Sequence, residues 1–148
     1  MKKLIFPLLV LVLILAACGN NSDKDSSDKE NKKEETRSYT QDSGKKIDIP
    51  KDPQRIAVVA PTYAGGLKYL GANIVAVNEQ VDQSQLLKDK FKDVTKVGEN
   101  DVEKVAKSKP DLIIVYSTDK NIQKYEKIAP TAVFDYAKHK YLDQQQEL

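Results

Sequence analysis

Polar and aromatic residues follow three apolar segments of this sequence, each of which has the composition of a buried strand. The candidate contact residues at these positions are Thr62, Tyr63, Ser117 and Tyr136. In open α/β sheets, ligands bind beyond the carboxyl ends of the strands. A tyrosine suits such a position, because its ring offers apolar area and its hydroxyl a polar tip. The sequence therefore predicts a binding surface at one edge of a sheet.

Each of these residues also has a purely structural explanation. Thr62 could cap the N-terminus of a helix, with Tyr63 then lying at the protein surface. Ser117, together with Thr118, could cap the helix that follows the third strand. Tyr136 could be a half-buried tyrosine of the core. The residues alone leave both explanations open at each position.

The inventory of reactive side chains disfavours an enzyme. The chain has one histidine, His139, and one cysteine, Cys18, which excludes a Cys/His pair and a zinc site built from several such ligands. Gly65 and Gly66 belong to neither a G-x-G-x-x-G fingerprint nor a phosphate-binding loop. We therefore expect no catalytic residue, no cofactor and no side-chain metal ligand, and an α/β enzyme is kept only as a third hypothesis.

The first 18 residues predict an export signal followed by a lipid anchor. Lys2 and Lys3 precede the apolar segment 4–15, which is shorter than the roughly 20 residues of a membrane-spanning helix. The sequence L-A-A-C that ends at Cys18 resembles the bacterial lipoprotein signal, in which the cysteine becomes the lipidated first residue. An ordinary cleaved signal peptide is the alternative. We expect residues 1–17 to be the signal peptide and Cys18 to hold the protein at the extracytoplasmic face of the cell membrane.

Residues 18–38 have the composition of a charged, disordered tether. The segment from Gly19 to Ser38 contains no apolar side chain, so it cannot bury enough surface to offset the entropy lost on ordering. A charged segment that binds a specific partner is the alternative. We expect the folded part of the chain to comprise residues 39–148 and to be monomeric.

The charge balance argues against nucleic acid as a partner. The chain carries 24 Lys and Arg against 22 Asp and Glu, and removal of Lys2 and Lys3 with the leader leaves 22 of each sign. Basic and acidic residues alternate along the chain, whereas a nucleic-acid-binding domain would carry a basic patch.

Beyond the tether, turn-forming residues and apolar periodicity predict a hairpin and then alternating strands and helices. The hairpin is expected over residues 38–50. Strands are expected at residues 56–59, 74–77, 112–115 and 132–134, with a short extended piece at 94–97. Helices are expected at 64–70 with Gly71 as terminator, at 84–91 with Ser84 as N-cap, at 100–107, at 117–129 and from Lys140 onward. This alternation predicts an α/β fold with a central parallel sheet.

Two runs of sequence resemble the substrate-binding lipoproteins of iron–siderophore ABC importers. They are DPQRIAVVAPTYAGGLKYLGANIVAVN and VTKVGENDVEKVAKSKPDLIIVYSTDK. Within them P-T-Y-A-G-G, and later D-Y-x-K-H-K-Y, are similar to the ferric hydroxamate-binding lipoproteins of Gram-positive bacteria. The resemblance implies the N-terminal Rossmann-like lobe of a two-lobe periplasmic-binding-protein-like fold with a rigid interlobe helix. It also implies a truncated chain, because the second lobe and its tryptophan contacts are missing.

The resemblance assigns roles to the candidate residues. Tyr136 matches a tyrosine that packs and hydrogen-bonds against the iron–hydroxamate, and Tyr63 and Thr62 would line the same cleft. Ser117 is a weaker match. Iron would arrive already chelated by the siderophore, so no side chain needs to bind the metal.

Glu103 matches an exposed acidic residue that docks into arginines of the membrane permease, where a carboxylate–arginine pair gives orientation as well as attraction. The alternative is a capping box between Asn100 and Glu103, and both roles are compatible. The basic run 138–140, near Tyr136, is interpreted as a solvated helix start, with an anion contact as the alternative.

The implied function is that of a lipid-anchored receptor subunit that captures ferric hydroxamate siderophores for an ABC importer, with weak binding expected of a single lobe. The second hypothesis is a stand-alone tethered module of the cell surface without a role in transport.

Overall fold

The computed structural model of the 148-residue chain describes residues 35–138. The predicted signal peptide 1–17, Cys18, most of the predicted tether, His139 and the helix expected from Lys140 lie outside these residues. Within the described part of the chain, no helix is long and apolar enough to span a membrane.

The folded region begins with a two-stranded antiparallel hairpin. Strand β1 spans Thr36–Thr40, strand β2 spans Lys46–Pro50, and Gly44 supplies a φ of +83° in the turn between them. The hairpin is confirmed, but it starts before residue 38, because Thr36 pairs with Pro50. The end of the predicted tether is therefore a strand. Composition missed it because backbone pairing orders residues whose side chains are all exposed.

A five-stranded parallel sheet forms the centre of the molecule and confirms the predicted α/β class. Its strands, in chain order from β3 to β7, are Ile56–Val58, Ile74–Asn78, Thr95–Val97, Leu112–Tyr116 and Thr131–Phe134. The spatial order is β5-β4-β3-β6-β7. The extended piece predicted near residue 95 is thus a paired edge strand of the sheet.

Short helices connect the strands. Helix α1 spans Ala64–Tyr69, α2 spans Val102–Lys107 and α3 spans Ile122–Tyr125, with 3-10 turns at Pro61–Tyr63, Glu79–Gln83 and Lys88–Phe91. Gly71 has a φ of +84° just beyond α1, which confirms its predicted role as a helix terminator.

Several helix predictions were wrong. Residues 84–91 form no α-helix, and Ser84 ends a 3-10 turn instead of capping a helix. Leu70 and Ala106 continue the apolar spacing of the predicted helices 64–70 and 100–107, yet both are exposed, because α1 ends before Leu70 and α2 buries only Val105. Apolar periodicity locates such elements, but the few residues of a short helix leave its rotation to tertiary packing.

The core occupies both faces of the sheet, as expected for parallel strands that are covered on both sides. On one face, Phe91 and Phe134 pack with the buried ring of Tyr63. On the other face, Val105 of α2 and Tyr125 of α3 pack against the sheet. The two layers leave the carboxyl edge of the strands as the place where connecting loops converge.

Candidate functional site

Three tyrosines meet at the carboxyl edge of the sheet. Tyr116 is the last residue of β6. Its ring lies 6.1 Å from that of Tyr63, and 5.7 Å from that of Tyr136 in an edge-to-face arrangement with an interplanar angle of 78°. Tyr63 and Tyr136, which follow different strands, therefore lie at the same end of the sheet, as a shared surface requires.

Sequence reasoning missed Tyr116, although it is the central ring of this group. The apolar run 112–115 predicts a strand that ends one residue earlier, and the motif that contains Tyr116 assigns it no role. The available signal was an aromatic residue between a buried strand and the polar turn Ser117–Asp119.

Thr62 is joined to this cluster by hydrogen bonds. The Tyr116 hydroxyl donates to Thr62 Oγ1, and the Thr62 backbone N–H donates to Tyr116 Oη at 3.3 Å. The helix-capping alternative is wrong, because the 3-10 turn and α1 have no side-chain cap at their N-termini. Thr62 is half-buried and fixes the loop after β3 to the end of β6.

Tyr63 does not present its ring at the surface. Its side chain is 1% exposed, and its ring centroid lies 4.8 Å from that of Phe134. The 3-10 turn Pro61–Tyr63 directs this third residue inward, onto the face of the sheet. Both sequence interpretations, a cleft contact and a surface tyrosine, therefore fail. Tyr63 supports the Tyr116 ring from within the core.

Tyr136 is 60% exposed, so the interpretation as a half-buried core tyrosine is wrong. The Tyr136 ring packs edge-to-face with the Tyr116 ring, and most of its surface is open to solvent. Ser117 is also exposed, and its backbone N–H donates to the Phe134 carbonyl at 2.8 Å. Tyr136 and Ser117 are thus brought to one surface by the neighbouring strands β6 and β7.

A concavity of about 340 Å³ lies beside Tyr116, between the loops that follow β4, β5 and β6. Its polar lining residues are Gln80, Glu99, Asn100, Thr118, Asp119, Lys120 and Asn121. Asn121 holds two of these loops together, because its Nδ2 donates to the Glu99 carbonyl at 2.9 Å while its backbone N–H donates to Asp119 Oδ1 at 2.7 Å. The surface at this edge thus combines this polar concavity with an aromatic ridge, which is formed by the rings of Tyr116 and Tyr136.

Two groups close in sequence or charge to the lining residues have shifted pKa values. Burial raises the pKa of Tyr125 to about 12, and the carboxylates of Asp119 and Asp101 add to this effect. The pKa of Asp101 is lowered, chiefly by the hydrogen bond from Lys104 and then by that from the Gly98 backbone N–H. Near neutral pH the site therefore contains a neutral buried phenol and an ionised Asp101.

Glu103 is exposed in the first turn of α2, as a docking residue must be. The predicted capping box is wrong, since Asp101, not Asn100, is the N-cap residue. The Asp101 carboxylate instead accepts from the Gly98 N–H at 3.0 Å and from Lys104 Nζ at 2.7 Å.

Lys138 is exposed, in keeping with a solvated residue, and the rest of the basic run 138–140 lies outside the described residues. The Lys138 Nζ donates to the backbone carbonyl of Asp42 at 2.7 Å. Over residues 35–138, no group of three or more His, Cys, Asp or Glu side chains is placed to hold a metal ion.

Residues 56–148 match the family described as periplasmic binding protein. The chain is 42% identical over 141 residues to the iron(3+)-hydroxamate-binding protein FhuD of Bacillus subtilis, covering 94% of this chain and 44% of that protein. Unliganded FhuD2 from Staphylococcus aureus has a similar structure, with a TM-score of 0.73 and 78% identity over 75% of this chain and 40% of that one. FhuD2 with bound ferrioxamine B gives a TM-score of 0.62 and 78% identity, covering 64% and 37% of the two chains. The chain thus spans less than half the length of each of these proteins.

Proposed function

This chain belongs to the periplasmic binding protein family, as its motifs predict, and we propose that it is a receptor lobe that captures ferric hydroxamate siderophores for an ABC importer. Its role is binding, not catalysis. The whole receptor would be held at the extracytoplasmic face of the cell membrane by a lipid on Cys18, at the end of a charged tether.

The exposed ring of Tyr136, braced by Tyr116, is the observation that carries this proposal. In a ferric hydroxamate, the siderophore's own oxygens fill the coordination sphere of the iron. The complex therefore offers a protein oxygen acceptors and apolar arms in place of open metal positions. A tyrosine meets both, since its hydroxyl donates a hydrogen bond and its ring packs against methylene groups.

The other surface residues are proposed to play smaller roles. Ser117 is exposed at the same edge of the sheet and would add a hydroxyl contact, whereas Thr62 would act by fixing Tyr116. Tyr63 is assigned to support beneath the site. Because iron is part of the cargo, the lobe needs no metal ligand and no cofactor of its own.

A single lobe can contact only one side of such a ligand. High affinity for a small molecule generally requires that most of its surface be enclosed. We therefore propose that this chain alone binds a ferric hydroxamate weakly, and that tight binding needs a second lobe opposite the aromatic ridge.

Glu103 is the proposed contact with the permease. Its carboxylate projects from the exposed first turn of α2, where an arginine of a membrane partner can reach it. A charge-assisted pair at such a position sets orientation and encounter rate more than it adds to affinity. The receptor would act as a monomer in this complex.

Titration of the full chain with ferrioxamine B, followed by tyrosine fluorescence, tests the proposal. We expect Tyr136→Ala to weaken binding about tenfold, as truncation of an aromatic anchor commonly does. Tyr136→Phe should lose only the part of the affinity that comes from the hydrogen bond of the hydroxyl. The matched control is Tyr69→Ala, because Tyr69 is 91% exposed at the end of α1, away from the ridge.

Equal affinities for Tyr136→Ala and Tyr69→Ala would contradict the assignment of the ridge. Absence of saturable binding by the wild-type chain at millimolar ligand would contradict the receptor role and favour a stand-alone surface module.

A further inference from the structure

The turn of the N-terminal hairpin contacts the loop that carries Tyr136. Asp42 lies in this turn, between β1 and β2. Its carboxylate Oδ2 accepts a hydrogen bond from the Asp135 backbone N–H at 2.7 Å, and its backbone carbonyl accepts from Lys138 Nζ at 2.7 Å. These contacts join residues more than 90 positions apart in the sequence, on either side of Tyr136.

A second, buried contact fixes the same turn to the sheet. Gln41 is 5% exposed, and its Nε2 donates to the backbone carbonyl of Thr131 at 2.9 Å. Thr131 is the first residue of β7 and Asp135 follows the last. The adjacent residues Gln41 and Asp42 therefore bind both ends of the strand that delivers Tyr136 to the carboxyl edge.

The loop after β7 is a tight turn built on Asp135. Its side-chain Oδ1 accepts from the Ala137 N–H at 3.0 Å, and its carbonyl accepts from the Lys138 N–H at 3.1 Å. Tyr136 is the one residue between Asp135 and Ala137, so the orientation of its ring follows from the orientation of this turn. The Asp42 carboxylate holds the first N–H of the turn with a charge-assisted hydrogen bond, which is stronger than a neutral one.

We propose that Asp42 is a positioning residue for ligand binding: the hairpin turn orders the Asp135–Lys138 turn and thereby presents the Tyr136 ring in its binding orientation before the ligand arrives. Ordering a contact residue in advance improves affinity, because less conformational entropy is lost on binding. This inference rests on the proposed function, and it gives the hairpin a role that the ligand-facing residues alone do not reveal.

The experiment must separate positioning from general stabilisation of the fold. We would compare Asp42→Ala and Asp42→Asn, the latter of which keeps the shape and one acceptor oxygen, with the control Asp48→Ala. Asp48 is an exposed acid on β2 of the same hairpin, so its loss changes the charge equally. Affinity of the full chain for the gallium complex of the ferrioxamine B siderophore, a diamagnetic probe, would be followed by NMR.

We expect Asp42→Ala to weaken binding about five- to tenfold, Asp42→Asn to recover part of the loss, and Asp48→Ala to match the wild type. In the free protein, Asp42→Ala should raise the hydrogen-exchange rate of the Asp135 amide and shift the ring resonances of Tyr136. In a Tyr136→Ala background, Asp42→Ala should cause no further loss of affinity, because the two residues then act through one contact.

A loss of affinity of the same size in both backgrounds would overturn the proposal, as would an Asp135 amide unaffected by Asp42→Ala. Failure of the wild-type chain to bind the gallium complex would refute the proposed function instead. The Asp135 amide and the Tyr136 ring resonances would then still decide whether Asp42 positions the turn.

Discussion

The amino edge of the parallel sheet carries a compact set of charged side-chain contacts to the backbone, whereas the carboxyl edge also exposes an aromatic ring and a polar concavity. At the amino edge, side chains bind the backbone. The Asp111 carboxylate accepts from the backbone N–H groups of Gln54 at 2.6 Å and of Arg55 at 3.0 Å, and the Arg55 guanidinium donates to the carbonyls of Lys109 at 2.8 Å and of Ser108 at 2.5 Å. These contacts fix the backbone just before β3 and β6 and hold the starts of the two strands together.

At the carboxyl edge, several side chains bind each other or face solvent. Tyr116 pairs with Thr62, while Tyr136 exposes 60% of its surface beside the polar concavity. An aromatic ring held at the surface gains less from burial than one placed in the core. Under the proposed function, the amino edge serves folding and the carboxyl edge serves contact with a ligand.

Asp111→Ala gives the largest effect expected from this comparison. It leaves two backbone N–H groups at the amino edge without their charged acceptor, and a hydrogen bond to a charged group contributes about 1.5–3 kcal/mol. We expect the free energy of unfolding, measured with urea, to fall by about 2–3 kcal/mol. The affinity of the folded variant for ferrioxamine B should remain that of the wild type.

The control for this substitution is Asp93→Ala, which removes an exposed acid just before the edge strand β5 and should change stability by less than about 0.5 kcal/mol. Weaker ligand binding by folded Asp111→Ala would mean that the two edges are coupled, and the division between them would not hold.

Gly71→Ala probes the amino edge through the backbone alone. Gly71 has a φ of +84°, and no atom lies within 4 Å of an added Cβ, so the cost comes only from the left-handed conformation, about 1–2 kcal/mol. Thermal or urea unfolding would measure it. Gly65→Ala within α1 is the matched control, since helical φ and ordinary contact with Leu87 at 3.4 Å should leave its stability equal or higher.

An equal loss in the two glycine variants would show that the left-handed conformation adds no cost of its own at position 71, and the role assigned to Gly71 would be lost.

The sequence was sufficient for features that depend on local chemistry. Continuous β-branched runs located the buried strands, such as the one from Ile56, and Gly71 marked the end of α1 because few other residues adopt its φ. Pattern reasoning also placed Tyr136 at the carboxyl edge, since it follows a strand that the alternation made parallel to the others.

Features that depend on tertiary packing could not be predicted. The 3-10 turn after β3 directs Tyr63 inward, and periodicity does not resolve the rotation of a three-residue turn. Asp42 contacts Asp135 only because the hairpin turn packs against the end of β7. Neither segment has a local sequence pattern that predicts this contact. Tyr116 was missed for a simpler reason, as the strand extends one residue beyond its aliphatic run.

Tyr125→Phe is expected to give the smallest change in the free energy of unfolding, and in the opposite direction to the other substitutions. The Tyr125 hydroxyl is buried beneath the carboxyl edge, and among the described residues it has no hydrogen-bond partner. Removing an unsatisfied buried hydroxyl costs no hydrogen bond and avoids its desolvation, so we expect stability at neutral pH to be unchanged or higher by up to about 1 kcal/mol. Urea unfolding of the two proteins would measure the difference.

The pH dependence of this variant carries the sharper test. Because the folded pKa of Tyr125, about 12, lies above the ordinary value of 10.0, its contribution to stability is complete below pH 10.0 and is lost as the pH rises towards 12. The wild type should therefore lose stability over this range relative to Tyr125→Phe, in which the group cannot ionise. Parallel curves for the two proteins would show that the phenol ionises without penalty, and that the carboxyl edge is open to water even at its buried base.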